Sequence, residues 1–233
     1  MRQSWRQLLF AHWAVEPARL APVIPPQLPL DLYDGKAWVG VTPFVVTAAH
    51  PRGLPPLPWV SSFPECNVRT YVTVDGRPGI YFFSLDAARR LACDIARLAY
   101  RVPYFHADMG AADRDGWITY AARRIQRDGP PGGLEVRYRA VGAPFDALPG
   151  SLEHFLCERY CLYTLDRRQR VLRAEIHHRP WHLYNAEAEF PSNTMTGGLG
   201  IELQEEPTLH LSRRQDVVFW PLGRARANDR RRR

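Results

Sequence analysis

Val68, Thr70, Val72 and Val74 alternate with Asn67, Arg69, Tyr71 and Thr73, and this period of two is the clearest regularity in the chain. It predicts a strand with one mainly apolar face and one face of hydrogen-bonding groups. The stretch "NVRTYVTVDGRPGIYFFSL" continues it through a turn containing Asp75-Gly76 and Pro78-Gly79 into a second β-rich run, so a hairpin is expected. The period then changes. In "AARRLACDIARLAYR", Ala88, Leu91, Ala92, Ile95, Leu98 and Ala99 recur at helical spacing, with Asp86 placed to cap. This should be the main helix, packed on the sheet.

The rest of the pattern is strand-rich. "SWRQLLFAHWAV" reads as a strand, and "EPARLAPVIPPQL" as a short helix that opens near Pro17 and ends before Pro25 and Pro26. "AWVGVTPFVVTAA" is a long strand with a bulge or edge position at Pro43. "HPRGLPPLPW" is a proline-rich connection. Strands are expected at "WITYAARRIQ" and "LEVRYRAVG", a short capped helix at "GSLEHFL", and a second hairpin from "ERYCLYTL" and "VLRAEIHH" around "DRRQ". "TLHLS" and "DVVFWPL" close the chain's regular structure. Strands outnumber helices and run in hairpins. The fold class is therefore α+β and β-rich: a curved antiparallel sheet or β-barrel with a few peripheral helices.

At 233 residues and 45% hydrophobic, the chain suits one domain over 1–223. The formal charge of +7 points toward nucleic acid until it is located. Residues 224–233, "RARANDRRRR", carry six Arg and one Asp, so +5 sits in a basic tail expected to be disordered and only +2 in the body. No specific nucleic-acid partner follows. No apolar run approaches the roughly 18 residues of a membrane span, and the first residues lack the pattern of a secretory leader, so a cytoplasmic protein without a membrane partner is expected. Cys66, Cys93, Cys157 and Cys161 show no CxxC pair and read as buried thiols. Lys36 is the single lysine, set in the turn-like "YDGKAW".

Several residues could carry chemistry. Arg69, with Asn67 and Tyr71 on the same strand face, presents a guanidinium suited to a carboxylate if that face points inward. Turned outward, it is solvated or paired with Glu65. Tyr104 and His106 in "VPYFHADM" could donate and accept protons, or the loop could merely pack. Arg159 shares an expected strand face with Tyr163 in "ERYCLYT", either toward a ligand or in a buried Glu158–Arg159 pair. The histidines of "HHRPWH" have no standard zinc spacing, and "TGGLG" lacks the strand-to-helix setting of a phosphate cradle. No metal or cofactor is expected.

Taken in order, "AVEPARLAPVIPPQLPLDLYDGKAWVGVTPF", "FPECNVRTYVTVDGRPGIYFFSLDA", "VPYFHADM" and "GSLEHFLCERYCLYT" resemble the uncharacterised YqjF-like family over about residues 4–222. That family is distantly similar to the acetoacetate decarboxylase-like superfamily. The resemblance implies a cone-like or closed barrel around a small-molecule pocket. It places Tyr104, Phe105 and His106 at that pocket, because decarboxylases of the superfamily form a Schiff base there through a Pro-Lys-Lys run. Here the run is Pro103-Tyr104-Phe105-His106, and both lysines are lost. Neither phenol nor imidazole can form an imine with a ketone. The expectation is a pocket for a small anionic or carbonyl-containing molecule, with any chemistry being lysine-independent acid–base catalysis. A non-catalytic binding or sensing module and an interaction protein working through its basic tail are the rivals. A homo-oligomer stays open.

Overall fold

A computed structural model describes residues 1–50, 53, 61–126 and 128–225. The alternation around residue 70 folds as expected: β3 (Phe63–Val74) and β4 (Arg77–Ala87) pair antiparallel across Asp75 and Gly76. Both turn residues have positive φ, the two-residue geometry that matches strand twist. Pro78 and Gly79 already belong to β4. β1 (Arg2–Val15) and β2 (Ala37–His50) precede this hairpin. β5 (Tyr104–Arg114), β6 (Trp117–Arg124), β7 (Gly133–Asp146), β8 (Cys161–Leu165), β9 (Val171–His177), β10 (His182–Asn193), β11 (Thr208–Phe219) and β12 (Gly223–Arg224) follow it. The α-helices are α1 (Pro17–Leu20), α2 (Arg90–Tyr100) and α3 (Leu152–Cys157).

Neighbouring strands run β12-β9-β8-β4-β3-β2-β1-β11-β10-β7-β6-β5. β5 also pairs with β4, and β9 with β11, so the curved sheet closes on itself twice. The two rings share β4, β3, β2, β1 and β11. Each shared strand is therefore buried on both faces. Cys66, Val68 and Val72 pack in one core with Ile118, Tyr120 and Tyr138. Phe63 and Tyr71, one residue out of phase, pack in the other with Phe10, Leu156, Leu162 and Trp181. The polar face of β3 thus meets protein and not water. Pro43 sits where the β1–β2 register slips between Arg6 and Ala11, the irregularity expected of a residue without an N–H.

Five expectations need correction. The run after Pro103 is not a loop: Tyr104 opens β5, which lies parallel to β4 through Leu85 and Tyr104 and then antiparallel to β6. β8 also lies parallel to β4, so the sheet is mixed. Asp86 does not cap α2, because its carboxylate is engaged by Arg124. α2 also turns its apolar stripe outward: Leu91, Ile95 and Leu98 are 59%, 58% and 86% exposed, and only Cys93 is buried. Ala92, Cys93 and Tyr100 pack it on the core, with hydrogen bonds from the Cys93 thiol to the Ala87 carbonyl and from Arg97 to the Tyr104 carbonyl. Arg224 and Ala225, assigned by composition to the tail, bond to β9. Residues 226–233 and, apart from His50 and Gly53, the proline-rich connection lie outside the described residues. No helix among the described residues is long and apolar enough to cross a membrane.

Candidate functional site

β3 carries Glu65, Asn67, Arg69 and Tyr71 on one face because strand side chains alternate. All four are buried, which the alternation alone could not reveal. At one end of the stripe, the Tyr104 hydroxyl donates to both Glu65 carboxyl oxygens at 3.2 Å. Pro103 accepts a bond from Leu85 and fixes where β5 begins, so the tyrosine enters from the edge of β4. Glu65 is 4% exposed and has no cationic partner among the described residues. Burial pushes its carboxyl up to about 8, against the smaller opposing effect of hydrogen bonds from Tyr104 and Asn67. Burial and the adjacent Glu65 likewise push the Tyr104 phenol well above its usual value. A carboxylic acid that keeps its proton at neutral pH beside a phenol is suited to proton transfer. Sequence reasoning named Tyr104 but treated Glu65 only as a partner for Arg69. Glu65 lies on the same strand face as Asn67, which was the available signal.

Tyr104, with Phe105, Arg97, Arg101 and Thr164, lines a cleft of about 480 Å³. His106, together with Ile125, lines two further clefts, of about 410 and 530 Å³. Its ring has no hydrogen-bond or ion-pair partner among the described residues, so nothing orients it toward Glu65. Phe105 lies under Arg124, whose guanidinium is 4.0 Å from the ring centroid and grips Asp86 at 2.6 and 2.7 Å.

At the other end of the stripe, β1, β2 and β3 place His12, Gly40 and Arg69 in one row. A Cβ on Gly40 would lie 2.9 Å from the His12 ring and 3.3 Å from Arg69 Cγ, so the glycine lets the two side chains approach over it. His12 Nε2 is 2.7 Å from the Tyr71 hydroxyl, and the Leu156 carbonyl of α3 accepts from Tyr71 at 2.8 Å and from Arg69 at 3.1 Å. Burial, aided by Arg69 and His210, holds His12 well below its ordinary pKa, so it is neutral.

Arg69, Asn67 and Tyr71 are therefore together and inward, and Arg69 is not paired with Glu65. Arg159 does not pair with Glu158 and does not lie in a strand. It donates to Asp31 at 2.6 Å and packs over Tyr71 and Phe155. Glu158 instead accepts from the Trp181 N–H and the Tyr160 hydroxyl. Tyr163 packs in the opposite core and donates to the Arg77 carbonyl, away from Arg69. Lys36 is exposed beside Glu16 in the predicted turn. The described residues hold no cluster of three or more metal-ligating side chains.

This chain matches the DUF2071 family of uncharacterized conserved proteins over residues 2–216. The chain belongs to that family. It is 47% identical over 223 residues to the uncharacterized protein YqjF of Bacillus subtilis strain 168, covering 95% of this chain and 91% of that protein. Among solved structures, it resembles the enduracididine biosynthesis enzyme MppR with a TM-score of 0.67 at 12% identity, over 98% of this chain and 88% of that one. It also resembles an acetoacetate decarboxylase from Legionella pneumophila, with a TM-score of 0.63 at 10% identity over 94% and 85%. An acetoacetate decarboxylase-like enzyme from Sphingomonas wittichii RW1 gives 0.64 at 14% identity over 97% and 92%. At these identities the likeness establishes the fold. This DUF2071 chain has the acetoacetate decarboxylase-like architecture without a lysine in the β5 segment.

Proposed function

We propose that this DUF2071 protein performs lysine-independent acid–base chemistry on a small anionic or carbonyl-containing molecule, with Glu65 and Tyr104 as the proton-transfer pair. The carrying observation is the neutral, buried Glu65 carboxyl held against the hydroxyl of Tyr104, a residue that also lines the cleft. In the proposed step, Tyr104 gives its hydroxyl proton to an enolate-like oxygen and takes the Glu65 proton in the same movement. The products are a protonated substrate oxygen and a Glu65 carboxylate, which solvent reprotonates. Arg97 and Arg101 beside the cleft favour an anionic substrate. The surroundings of Lys36 support an imine-free reaction. Its amine is exposed, and the bond to Glu16 raises its pKa, whereas an imine-forming lysine needs a neutral amine.

Turnover of a panel of keto acids and their aldol-type condensation products tests this reading. Glu65→Gln and Tyr104→Phe should each slow the reaction by roughly 10²- to 10⁴-fold, and borohydride with pyruvate should leave no adduct. Wild-type rates in Glu65→Gln, or a stoichiometric adduct on Lys36, would sink it. Absence of turnover on the whole panel, with ligand binding retained, would favour a binding module.

A further inference from the structure

Among the described residues, guanidinium groups that are buried or nearly so are matched to carboxylates, with one exception. Arg124 meets Asp86, Arg159 meets Asp31, and Arg173 meets Glu175. Arg69 is 7% exposed and has no carboxylate within ion-pair distance among the described residues. Its charge rests on a neutral acceptor, the Leu156 carbonyl, and on the faces of Phe10 and Tyr71 at 5.2 and 5.7 Å. Glu153, the one carboxylate of α3, is directed to His210. An unmatched buried charge is costly, and a fold that balances its other buried arginines has reason to leave one open only if the counter-charge arrives from outside.

Unused hydrogen-bonding capacity collects at the same place. Arg69 Nε has no partner, and neither does Nδ1 of His12, which sits beside Arg69 across Gly40. Tyr71 gives its single hydroxyl proton to Leu156, so His12 Nε2–H donates to the Tyr71 oxygen, and the free Nδ1 of the neutral ring carries a lone pair that can accept a hydrogen bond. We infer that Arg69 and His12 form a recognition site for a hydroxy monocarboxylate, on the β1–β3 face beneath α3, the guanidinium taking the carboxylate and the His12 Nδ1 lone pair accepting from the ligand's hydroxyl. One guanidinium beside a neutral imidazole balances a single negative charge, and a planar fork matches a planar carboxylate better than a phosphate dianion. The ligand's oxygen replaces the Leu156 carbonyl as the acceptor. This rests on the small-molecule reading above for the kind of ligand, but not on Glu65 chemistry. Glu65 and Arg69 leave the backbone about 13 Å apart along the strand, so the two sites can be disabled separately.

The test is calorimetric titration of the full chain with lactate and glycolate, against inorganic phosphate, in the wild type and in Arg69→Met, His12→Phe and Glu65→Gln. Saturable carboxylate binding is expected in the wild type and in Glu65→Gln, with weaker phosphate binding. Arg69→Met should weaken carboxylate binding about 10- to 100-fold. Its thermal midpoint without ligand should stay the same or rise, because it removes an unmatched charge; a purely structural Arg69 would instead leave that midpoint lowered. If Arg69→Met fails to fold, His12→Phe reads the same site through the loss of Nδ1. No saturable carboxylate binding, equal affinity in Arg69→Met or His12→Phe, or preference for phosphate would overturn the inference. Loss of turnover in Glu65→Gln with lactate affinity intact supports both sites. Unchanged turnover in that variant, with weakened binding in Arg69→Met, removes only the acid–base reading.

Discussion

The two faces of the β3–β4 hairpin bury polar groups in opposite ways. On the face toward β6, Asp86 and Arg124 close a two-bonded ion pair over Phe105, each about as buried as an apolar core residue. On the face toward α3, Glu65 has no cation and Arg69 no anion among the described residues, although they share one strand four residues apart. Both faces carry one acid and one base, but only the first brings them together. A matched pair holds β4 to β6 and does nothing further. Unmatched groups keep a proton and a charge ready for something else, and this difference separates architecture from a candidate site more clearly than burial does.

The comparison is most easily broken on the matched side. Asp86→Asn leaves Arg124 buried without its anion and should cost about 3–5 kcal/mol of stability, read by chemical denaturation. A loss below about 1 kcal/mol would show that the pair is not the fastener described here. On the unmatched side the sign reverses with pH. Glu65 has a folded pKa of about 8 against roughly 4.3 in the unfolded chain. Between those values the folded state binds a proton that the unfolded state has lost. Stability therefore falls as pH rises through that window, by at most about 1.4 kcal/mol per pH unit, and levels off above it. Glu65→Gln should remove this slope, so its advantage over the wild type should be absent near pH 4 and largest above pH 8. Parallel stability curves for the two proteins would contradict the neutral-acid assignment. The smallest effect belongs to His106→Ala. With its ring on surface clefts and unpartnered among the described residues, stability should change by less than about 0.5 kcal/mol and turnover should be nearly unchanged. A rate loss matching that of Tyr104→Phe would bring His106 back into the proton path.

Much of the fold was legible because local chemistry agreed with tertiary structure. The hairpin turn at Asp75-Gly76, the irregularity opposite Pro43 and the Ser151 cap of α3 were each announced by the residues that build them. Two strands were not. β5 begins in aromatics and passes through "GAAD", and β10 mixes alanine with glutamate, so neither shows the apolar alternation of a half-buried strand. The α2 pattern misled for a physical reason: an amphipathic stripe reports that one face is apolar, not which way it turns. Sequence placed Arg69, Asn67 and Tyr71 together, since strand period fixes shared faces. It could not assign Glu65 or His12 to them with a role, because those roles depend on partners found or missing across strands far apart in the chain.

The shared strands also carry a consequence for how the chain is made. β1 pairs with β11 from Arg2 opposite Val218 to His12 opposite Thr208, so β1 has an essential neighbour about 200 residues further along. At roughly 5–20 residues per second, about 200 residues of translation separate the two strands by some 10 to 40 seconds. During that interval "LLFAHW" has only β2 to cover it and presents an open edge. Neither ring can close before β11 has emerged, because both run through it. Native assembly is therefore a late event set by long loop closures, and a nascent chain stalled before residue 208 would be a natural client for holdase chaperones.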